Sequence, residues 1–418
     1  MQLVEQTIIN EHDPRYAAID AAAFAAKNLY NLALYEWRQA FIHQNIYLSY
    51  AEVYHRVKDS DAYQALPRKV SNDILRQLDK IWRSFRNGLE EWYEHPEKFT
   101  GRPRVPKYKH KTKGRFMLIY DEQAISKRAL KRGMLAPSGL GIEVPTRQKT
   151  VKHARIVPRM GFYVVEVVYE QAVKPVEVNP TYYMGIDIGM NVLAALTSNK
   201  PKFQSVIING RPLKSINQYY NKRHAQLQKK LGGPGITKRM QRLINKRNRR
   251  IDHYMHTASR YIIDLLVKEG IGTLVIGKND LWKQEANMGK RNNQNFVQIP
   301  HARFVSMLTY KAELVGITVK VTEESYTSKA SFLDLDPLPV HKNGGDATHT
   351  FSGRRVKRGL YRASNGRDIH ADCNGSANII RKVAPDAFGA KGVEDFAVHP
   401  VRITLRNKQK VARRVALP

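Results

Sequence analysis

The chain opens on a short β-branched stretch, "QLVEQTII", that reads as a strand within residues 1–12. From about Pro14 to Glu94 the apolar spacing becomes helical. "AAIDAAAFAAKNLYNLALYEWRQAFI" repeats Ala, Leu, Phe and Trp with that period, and "SNDILRQLDKIWRSFRNGLEEWY" opens on a Ser71-Asn72-Asp73 capping signal. The aromatic residues here are expected in a core rather than on a base-stacking surface. Residues 101–115, "GRPRVPKYKHKTKGR", end the pattern with glycine, proline and seven Lys or Arg, which predicts a loop or boundary. Short strand-like segments follow, "RFMLIY", "GIEVP", "ARIVPRM" and "GFYVVEVVYE". They predict a small β-barrel or sandwich ending near Lys174, with a linker over Pro175–Pro180.

The remainder has a different rhythm. "YYMGIDIGMNVLAALTSNKPKFQSVIIN" predicts three strands joined by short turns. A basic helical region runs from about Leu213 to Lys268, interrupted at Gly232–Gly235. "TLVIG" then reads as a buried strand, Val297–Val315 as mostly an amphipathic helix, "ITVKV" as another strand, and "ADCNGSANIIRKV" as a final helix starting near Asp372.

Charge narrows the function. Lys and Arg number 70 against 37 Asp and Glu, a formal net charge of +33 over 418 residues. Self-repulsion of that size is relieved by a polyanion, and nucleic acid fits best because every neutralised phosphate releases a condensed counterion. No apolar run approaches the roughly 20 residues needed to span a bilayer. The N-terminus lacks the layout of a signal peptide, and a single cysteine, Cys373, excludes a disulfide framework or a multi-cysteine zinc site. The expected location is cytoplasmic and nucleoid-associated, with no membrane partner.

Three strands, then helix, strand, helix, strand, helix is the order of an RNase H-like nuclease core. There the first strand is central, the fourth lies beside it and the fifth beyond the fourth. Carboxylates at these strand ends and on the final helix can meet, as required to hold two magnesium ions about 4 Å apart for phosphodiester cleavage. Asp187 in "MGIDIG" fits the first strand, pointing away from Met184, Ile186 and Ile188. The fourth strand ends in Gly277 and Lys278 where an acid is expected, and Asp280 reads as a turn residue. The fifth ends in Glu323-Glu324. Strand parity groups Glu323 with Ile317, Val319 and Val321, and Glu324 with the opposite face, which favours Glu324 as ligand and keeps Glu323 as the alternative. Asp372, near a helix start, is the third candidate. The competing structural roles are a turn for Asp187, a solvated turn for the glutamate pair and an N-cap for Asp372.

These residues resemble the TnpB (OrfB) proteins of bacterial insertion sequences, RNA-guided nucleases related to type V CRISPR effectors. "GIDIG", the basic helical pair, the string from Asn293 through Lys329 with its "YTSK", and "ADCNGSANII" carry the likeness. It implies a multidomain α/β protein with a helical recognition domain (14–100), a β-barrel-like wedge domain (1–13 and 101–178) and a C-terminal RNase H-like (RuvC) nuclease domain (181–418). The nuclease domain would carry a basic helical insert (213–268) and a second insert (330–370). It also implies catalytic and metal-binding roles for Asp187 and Asp372, magnesium as cofactor, and guide RNA and target double-stranded DNA as partners of a protein expected to be monomeric. Two departures stand out. The second RuvC glutamate is missing at Gly277, its role being assigned to Glu324 as in a subgroup with a rearranged site. The family's four-cysteine zinc ribbon is replaced by a glycine-rich, basic insert, so no zinc is expected, and His341, His349 and His370 are read as solvated.

Nucleic-acid contacts are expected from Lys107, Lys109, Lys111, Lys113 and Arg115, interleaved with Tyr108 and His110. A second group is Lys222, Arg223, Arg239, Arg242, Lys246, Arg247, Arg249 and Arg250 on the basic helices, holding backbone phosphates without reading sequence. Tyr326 and Lys329 would hold the scissile strand. The tail, with Arg402, Arg406, Lys408, Lys410, Arg413 and Arg414, reads as an RNA-binding arm. The expected function is a transposon-encoded RNA-guided DNA endonuclease. The alternatives are a nuclease-inactive guided repressor, a strand-joining transposase and a compact CRISPR effector.

Overall fold

A computed structural model describes residues 1–278, 297–340, 349–394, 396 and 398–405. Asp280, residues 293–296, His341 and the tail residues Arg406, Lys408, Lys410, Arg413 and Arg414 lie outside the described residues. The chain divides into two units, Met1–Gln171 and Ala172–Pro418.

In the first unit, β1 (Gln2–Asn10) leads into α1 (Tyr16–Gln44), then the short α2 (Tyr50–Val57) and α3 (Asp61–Gln64), then α4 (Arg68–Glu94). Helix α1 buries Ile19, Ala23, Ala26, Leu29, Tyr30, Ala33, Leu34 and Trp37, one face at the expected period. Helix α4 meets it with Val70, Ile74, Leu78, Trp82 and Phe85. The capping signal at Ser71 does not start this helix. Its N-cap is Pro67, and the Ser71 hydroxyl is buried and donates to the Tyr63 carbonyl at 2.7 Å, so a residue that reads as a cap joins two helices instead. Strand β2 (Leu118–Asp121), helix α5 (Lys127–Lys131), the small pair β3 (Met134–Leu135) and β4 (Val144–Pro145), and strands β5 (His153–Arg159) and β6 (Phe162–Glu170) complete the unit. The sheet order is β1-β6-β5-β2, antiparallel throughout. It is an open sheet rather than a closed barrel, with β1 and β2 as its edges. Central β6 is buried from Tyr163 through Val168, on both faces of the sheet, and is apolar at most of those positions. Leu118, Tyr120, Ile156, Tyr163 and Val165 join the helical residues in one core, so the helical and β-rich stretches bury each other.

The second unit contains β7 (Asn179–Asp187), β8 (Val192–Ser198), β9 (Val206–Asn209), α6 (Arg211–Leu231), α7 (Lys238–Lys268), β10 (Ile271–Gly277), α8 (His301–Glu313) and β11 (Thr318–Thr322). Then come β12 (Arg354–Lys357), β13 (Leu360–Arg362), β14 (Asp368–His370), α9 (Ala371–Val383), α10 (Gly389–Glu394) and β15 (Val401–Ile403). The main sheet runs β11-β10-β7-β8-β9-β15. Strands β7, β8 and β9 are antiparallel neighbours, whereas β10 and β11 are added in parallel. The first strand of the unit is therefore central, with the fourth beside it and the fifth beyond. Pro180, read as linker, already belongs to β7.

Two layers of helix cover this sheet. Met184 and Ile186 pack in a core with Ile262, Leu266, Phe304 and Leu308 from α7 and α8. The alternate positions meet α9, where Ala195 and Ile207 share a core with Ala377 and Ile380. Close approach of α9 requires Gly185: a Cβ there would stand 2.2 Å from the Ser376 carbonyl oxygen. Ser376 Oγ instead donates to the Gly185 carbonyl at 2.8 Å and meets Thr197 Oγ1 at 2.9 Å.

Candidate functional site

Asp187 is the last residue of β7, on the sheet face opposite Met184 and Ile186 and therefore towards α9. Gly375 of α9 leaves room for it, since a Cβ there would stand 2.8 Å from Asp187 Oδ2. The carboxyl is held well above the usual range, first by desolvation, then by the charges of Glu324 and Asp372, with Arg355 opposing. An acid deprived of water and set near two others is costly to ionise unless a cation compensates.

The space beside Asp187 on β10 belongs to Gly277. Register pairs Val275 with Gly185 and Ile276 with Ile186, which brings residue 277 level with Asp187 on the same face. Over this glycine lies the side chain of Glu324, arriving from the end of β11; an ideal Cβ at 277 would stand 2.6 Å from Glu324 Oε1. Burial, and then Glu323, push the Glu324 carboxyl up to about 7. Glu323 has a different environment. The chain leaves the sheet after Thr322, and the Glu323 carboxylate pairs with the buried ammonium of Lys382 on α9 while accepting from Ser325 N at 2.6 Å. Burial would raise its pKa, but these hydrogen bonds outweigh burial and hold it below the usual range.

Asp372 is in the first turn of α9, where a carboxylate favours the helix dipole. It is not the N-cap; His370 takes that place, its Nδ1 accepting from Asp372 N at 3.3 Å. Arg355 lies 3.8 Å from Asp372. A cavity of about 540 Å³ opens here, lined by Asp187, Asp372, His370, Arg211, Arg355, Arg358 and Arg402, among others. Glu324 does not line it. Among the described residues, no group of three His, Cys, Asp or Glu side chains is drawn together tightly enough to hold a metal ion as placed. Uncompensated carboxylates repel one another.

Sequence reasoning missed Arg211, Arg355 and Arg358. The latter two come from the segment expected to be a glycine-rich, basic insert. "RRVKRGLYR" folds as β12 and β13 around a tight turn, with Gly359 at φ +81°, and a third strand, β14, completes the sheet. The Arg-Gly turn between β-branched and aromatic residues was the available hairpin signal. Two aspartates organise the start of this segment. Asp336 accepts from Ser331 N at 2.7 Å, Ser352 N at 3.0 Å and Ser352 Oγ at 2.5 Å. Asp334 accepts from Ser331 Oγ at 2.5 Å, Ser364 N at 3.0 Å and Ser364 Oγ at 2.5 Å.

The loop after Glu324 is tied to α9. Asn374 Nδ2 donates to the Ala330 carbonyl at 2.8 Å while its Oδ1 accepts from Phe332 N at 2.9 Å. One turn on, Asn378 Nδ2 reaches the Thr327 and Ala330 carbonyls at 3.0 and 2.9 Å. Thr327 Oγ1 closes back on the Glu324 carbonyl at 2.9 Å. Tyr326 sits at φ +61° in this loop, with the Lys329 ammonium 5.6 Å from its ring centre and His349 and Phe351 packed around it.

The basic residues divide by environment. In the arm over 101–115, Lys107, Lys111 and Lys113 are exposed, while its backbone is pinned along α1. Asn31 exchanges hydrogen bonds with Lys109 N and O at 2.8 and 3.0 Å, and Lys27 donates to the Lys111 carbonyl at 2.6 Å. Lys109 lies over the Tyr30 and Phe116 rings, and Arg115 forms a bidentate pair with Asp20 at 2.7 and 2.9 Å. Arg115 is thereby engaged within the fold rather than offered outward. On α7, Arg239, Arg242, Lys246, Arg249 and Arg250 are exposed, as is Lys222 on α6. Arg223 bonds Gln226 at 2.8 Å. Arg247 is turned inward, donating to Asn217 Oδ1 and the Gln298 carbonyl at 2.8 Å each, which makes it a bolt between α6, α7 and the chain before α8. No helix among the described residues is long and apolar enough to cross a membrane.

Two family profiles match in succession. The IS605 OrfB family, described as a probable transposase, matches residues 166–283, and the Cas12f1-like TNB domain matches residues 301–379. The chain is 23% identical over 209 residues to the TnpB-like protein ORF457 of Acidianus two-tailed virus, covering 47% of this chain and 41% of that protein. It is 25% identical over 206 residues to the CRISPR-associated endodeoxyribonuclease Cas12f1 of Sulfoacidibacillus thermotolerans, covering 47% and 44%. The similarity thus spans less than half the length of each relative. Among solved structures, the mini-RNA-guided endonuclease CRISPR-Cas phi3 overlaps 96% of this chain and 94% of its own at a TM-score of 0.45 and 10% identity, a global overlap too low to assign a shared fold.

Proposed function

The chain belongs to the TnpB (OrfB) family, and from this we propose that it is an RNA-guided DNA endonuclease of a transposable element with one RuvC-type site. The observation that carries the reading is that the buried Asp187 of β7 feels the charges of both Glu324, from the end of β11, and Asp372, from α9, with Asp187 and Asp372 lining an arginine-rich cavity. Three carboxylates are hard oxygen donors suited to magnesium, and the lack of a side chain at Gly277 and Gly375 leaves room for two of them. Magnesium bound there would activate water and neutralise charge on the phosphate. Arg355, Arg358, Arg211 and Arg402 would hold the phosphates on either side of the scissile bond. The exposed bases of α7 and of the 101–115 arm would hold guide RNA and the guide–target duplex by their backbones. Met1–Gln171 would provide the recognition and wedge functions, including reading of the motif beside the target.

Plasmid cleavage by the protein purified with its own RNA, in magnesium, tests this. Asp187→Asn, Glu324→Gln and Asp372→Asn should each cut at least about a hundredfold more slowly while still binding target, and Glu323→Gln should retain cutting. If the wild type binds its target and never cuts, the chain is a guided DNA-binding protein and the nuclease reading fails.

A further inference from the structure

Gly277 is not imposed by its backbone. It lies in β10 without a positive φ, where any residue is sterically allowed and glycine is the least favourable choice. The constraint is space. An ideal Cβ at 277 would stand 2.6 Å from Glu324 Oε1, 2.8 Å from Glu324 Cγ and 2.5 Å from Ile379 Cδ1. The Ile379 contact is the far end of a flexible side chain that a rotamer change relieves. The Glu324 contact involves both the carboxylate and its stem, so relieving it displaces the side chain as a whole from its place over Gly277. The residue level with Asp187 on the adjacent strand and the glutamate from the next strand over thus compete for one volume.

Resting on the reading of Glu324 as a metal ligand, we propose that Gly277 is a positioning residue that admits the Glu324 carboxylate to the site, and that positions 277 and 324 are reciprocal. One of them can supply the acid beside Asp187, and only while the other has no side chain in the way. The pair explains two oddities with one cause: the missing acid at the end of β10 and the acid displaced to the end of β11.

The test is manganese binding to the full-length, RNA-free chain, followed by electron paramagnetic resonance, with the thermal midpoint measured alongside. Glu324→Gln and Gly277→Ala should each weaken manganese binding by at least about tenfold. Gly277→Ala combined with Ile379→Val, which removes the second clash, should recover the midpoint without recovering the metal. The reciprocal variant Gly277→Asp with Glu324→Gly and Ile379→Val should bind manganese more tightly than Glu324→Gly with Ile379→Val. If Glu324→Gln leaves binding unchanged, the ligand reading falls and this inference with it. If Glu324→Gln weakens binding but the Gly277→Ala pair with Ile379→Val binds as wild type, the ligand reading stands and the positioning role is overturned. A reciprocal variant no better than its acid-free parent overturns the reciprocity.

Discussion

Glu323 and Glu324 are consecutive, yet their surroundings give them opposite chemistry. Lys382 and Ser325 stabilise the charged form of Glu323, whereas burial disfavours the charge on Glu324. Losing the cation from a half-buried pair leaves a desolvated carboxylate, so Lys382→Met should destabilise the protein by roughly 1–3 kcal/mol in urea titrations. Guided cleavage per folded molecule should persist, because Glu323 and Lys382 line a different cavity from the one lined by Asp187 and Asp372. A second ion pair bears on acid stability. Asp20 is held below the usual carboxylate range first by Arg115, against burial, with help from Tyr163. A depressed folded pKa gives stability that is complete above the unfolded value of about 3.9 and lost as pH falls through the folded one. Asp20→Asn should therefore lower the urea midpoint at pH 7 and converge on wild type at strongly acidic pH. Asp187 was legible in the sequence because a lone acid among alternating apolar residues has few inexpensive explanations. Arg355 and Arg358 were not, since their nearness to Asp372 depends on how a hairpin folds back.

Helix α9 binds the parts of the site together. Gly185 lets it lie on β7, Asp372 and Gly375 face the carboxylates, and Asn374 and Asn378 stitch the loop that follows Glu324. Asn378→Ala leaves two buried carbonyls short of a donor and should cost about 1–3 kcal/mol of stability. Because that loop also carries Glu324, cleavage per folded molecule should fall as well, a loss that thermal melts and active-site titration separate. The segment over 330–370 was expected as a glycine-rich, basic insert, and among its described residues hydrogen bonds to Asp334 and Asp336 organise it. Charge-assisted bonds from backbone and hydroxyl donors can close a loop without a metal. The Ser71 motif was misread for a related reason: local capping chemistry is overridden when a neighbouring carbonyl claims the hydroxyl.

A chain with a net charge of +33 is itself a polyelectrolyte, and its affinity for nucleic acid should fall steeply with salt. Arg239, Arg242, Lys246 and Arg249 are three and four residues apart, one stripe along α7, while Arg247 on the same helix faces inward. Changing Arg239, Arg242 and Lys246 together to Gln should weaken RNA binding and flatten the log–log salt dependence by roughly 2–3, measured by anisotropy at several ionic strengths. Arg247→Ala should instead lower the melting temperature and leave that slope nearly unchanged. Equal slopes for wild type and the triple variant would remove the stripe from the interface.

Most strand and helix positions, the expectation of a polyanionic partner and the three acidic candidates came from the chain alone, because periodicity, charge and an acid amid apolar neighbours are properties of short stretches. The strand order was expected because the succession of elements matches that of an RNase H-like core, and the sheet β11-β10-β7-β8-β9-β15 agrees with it. The different surroundings of Glu323 and Glu324 were set in space. They depend on an ammonium from α9 on one side and on the volume that Gly277 leaves to Glu324 on the other. The same is true of which bases face outward: Arg115 and Arg247 read like their neighbours in sequence, and only the partners brought to them by folding, Asp20 and Asn217, turn them inward. Short-range patterns set what each segment becomes, whereas desolvation, steric exclusion and ion pairing act between segments, so the roles of individual charged residues emerge only when distant strands and helices meet.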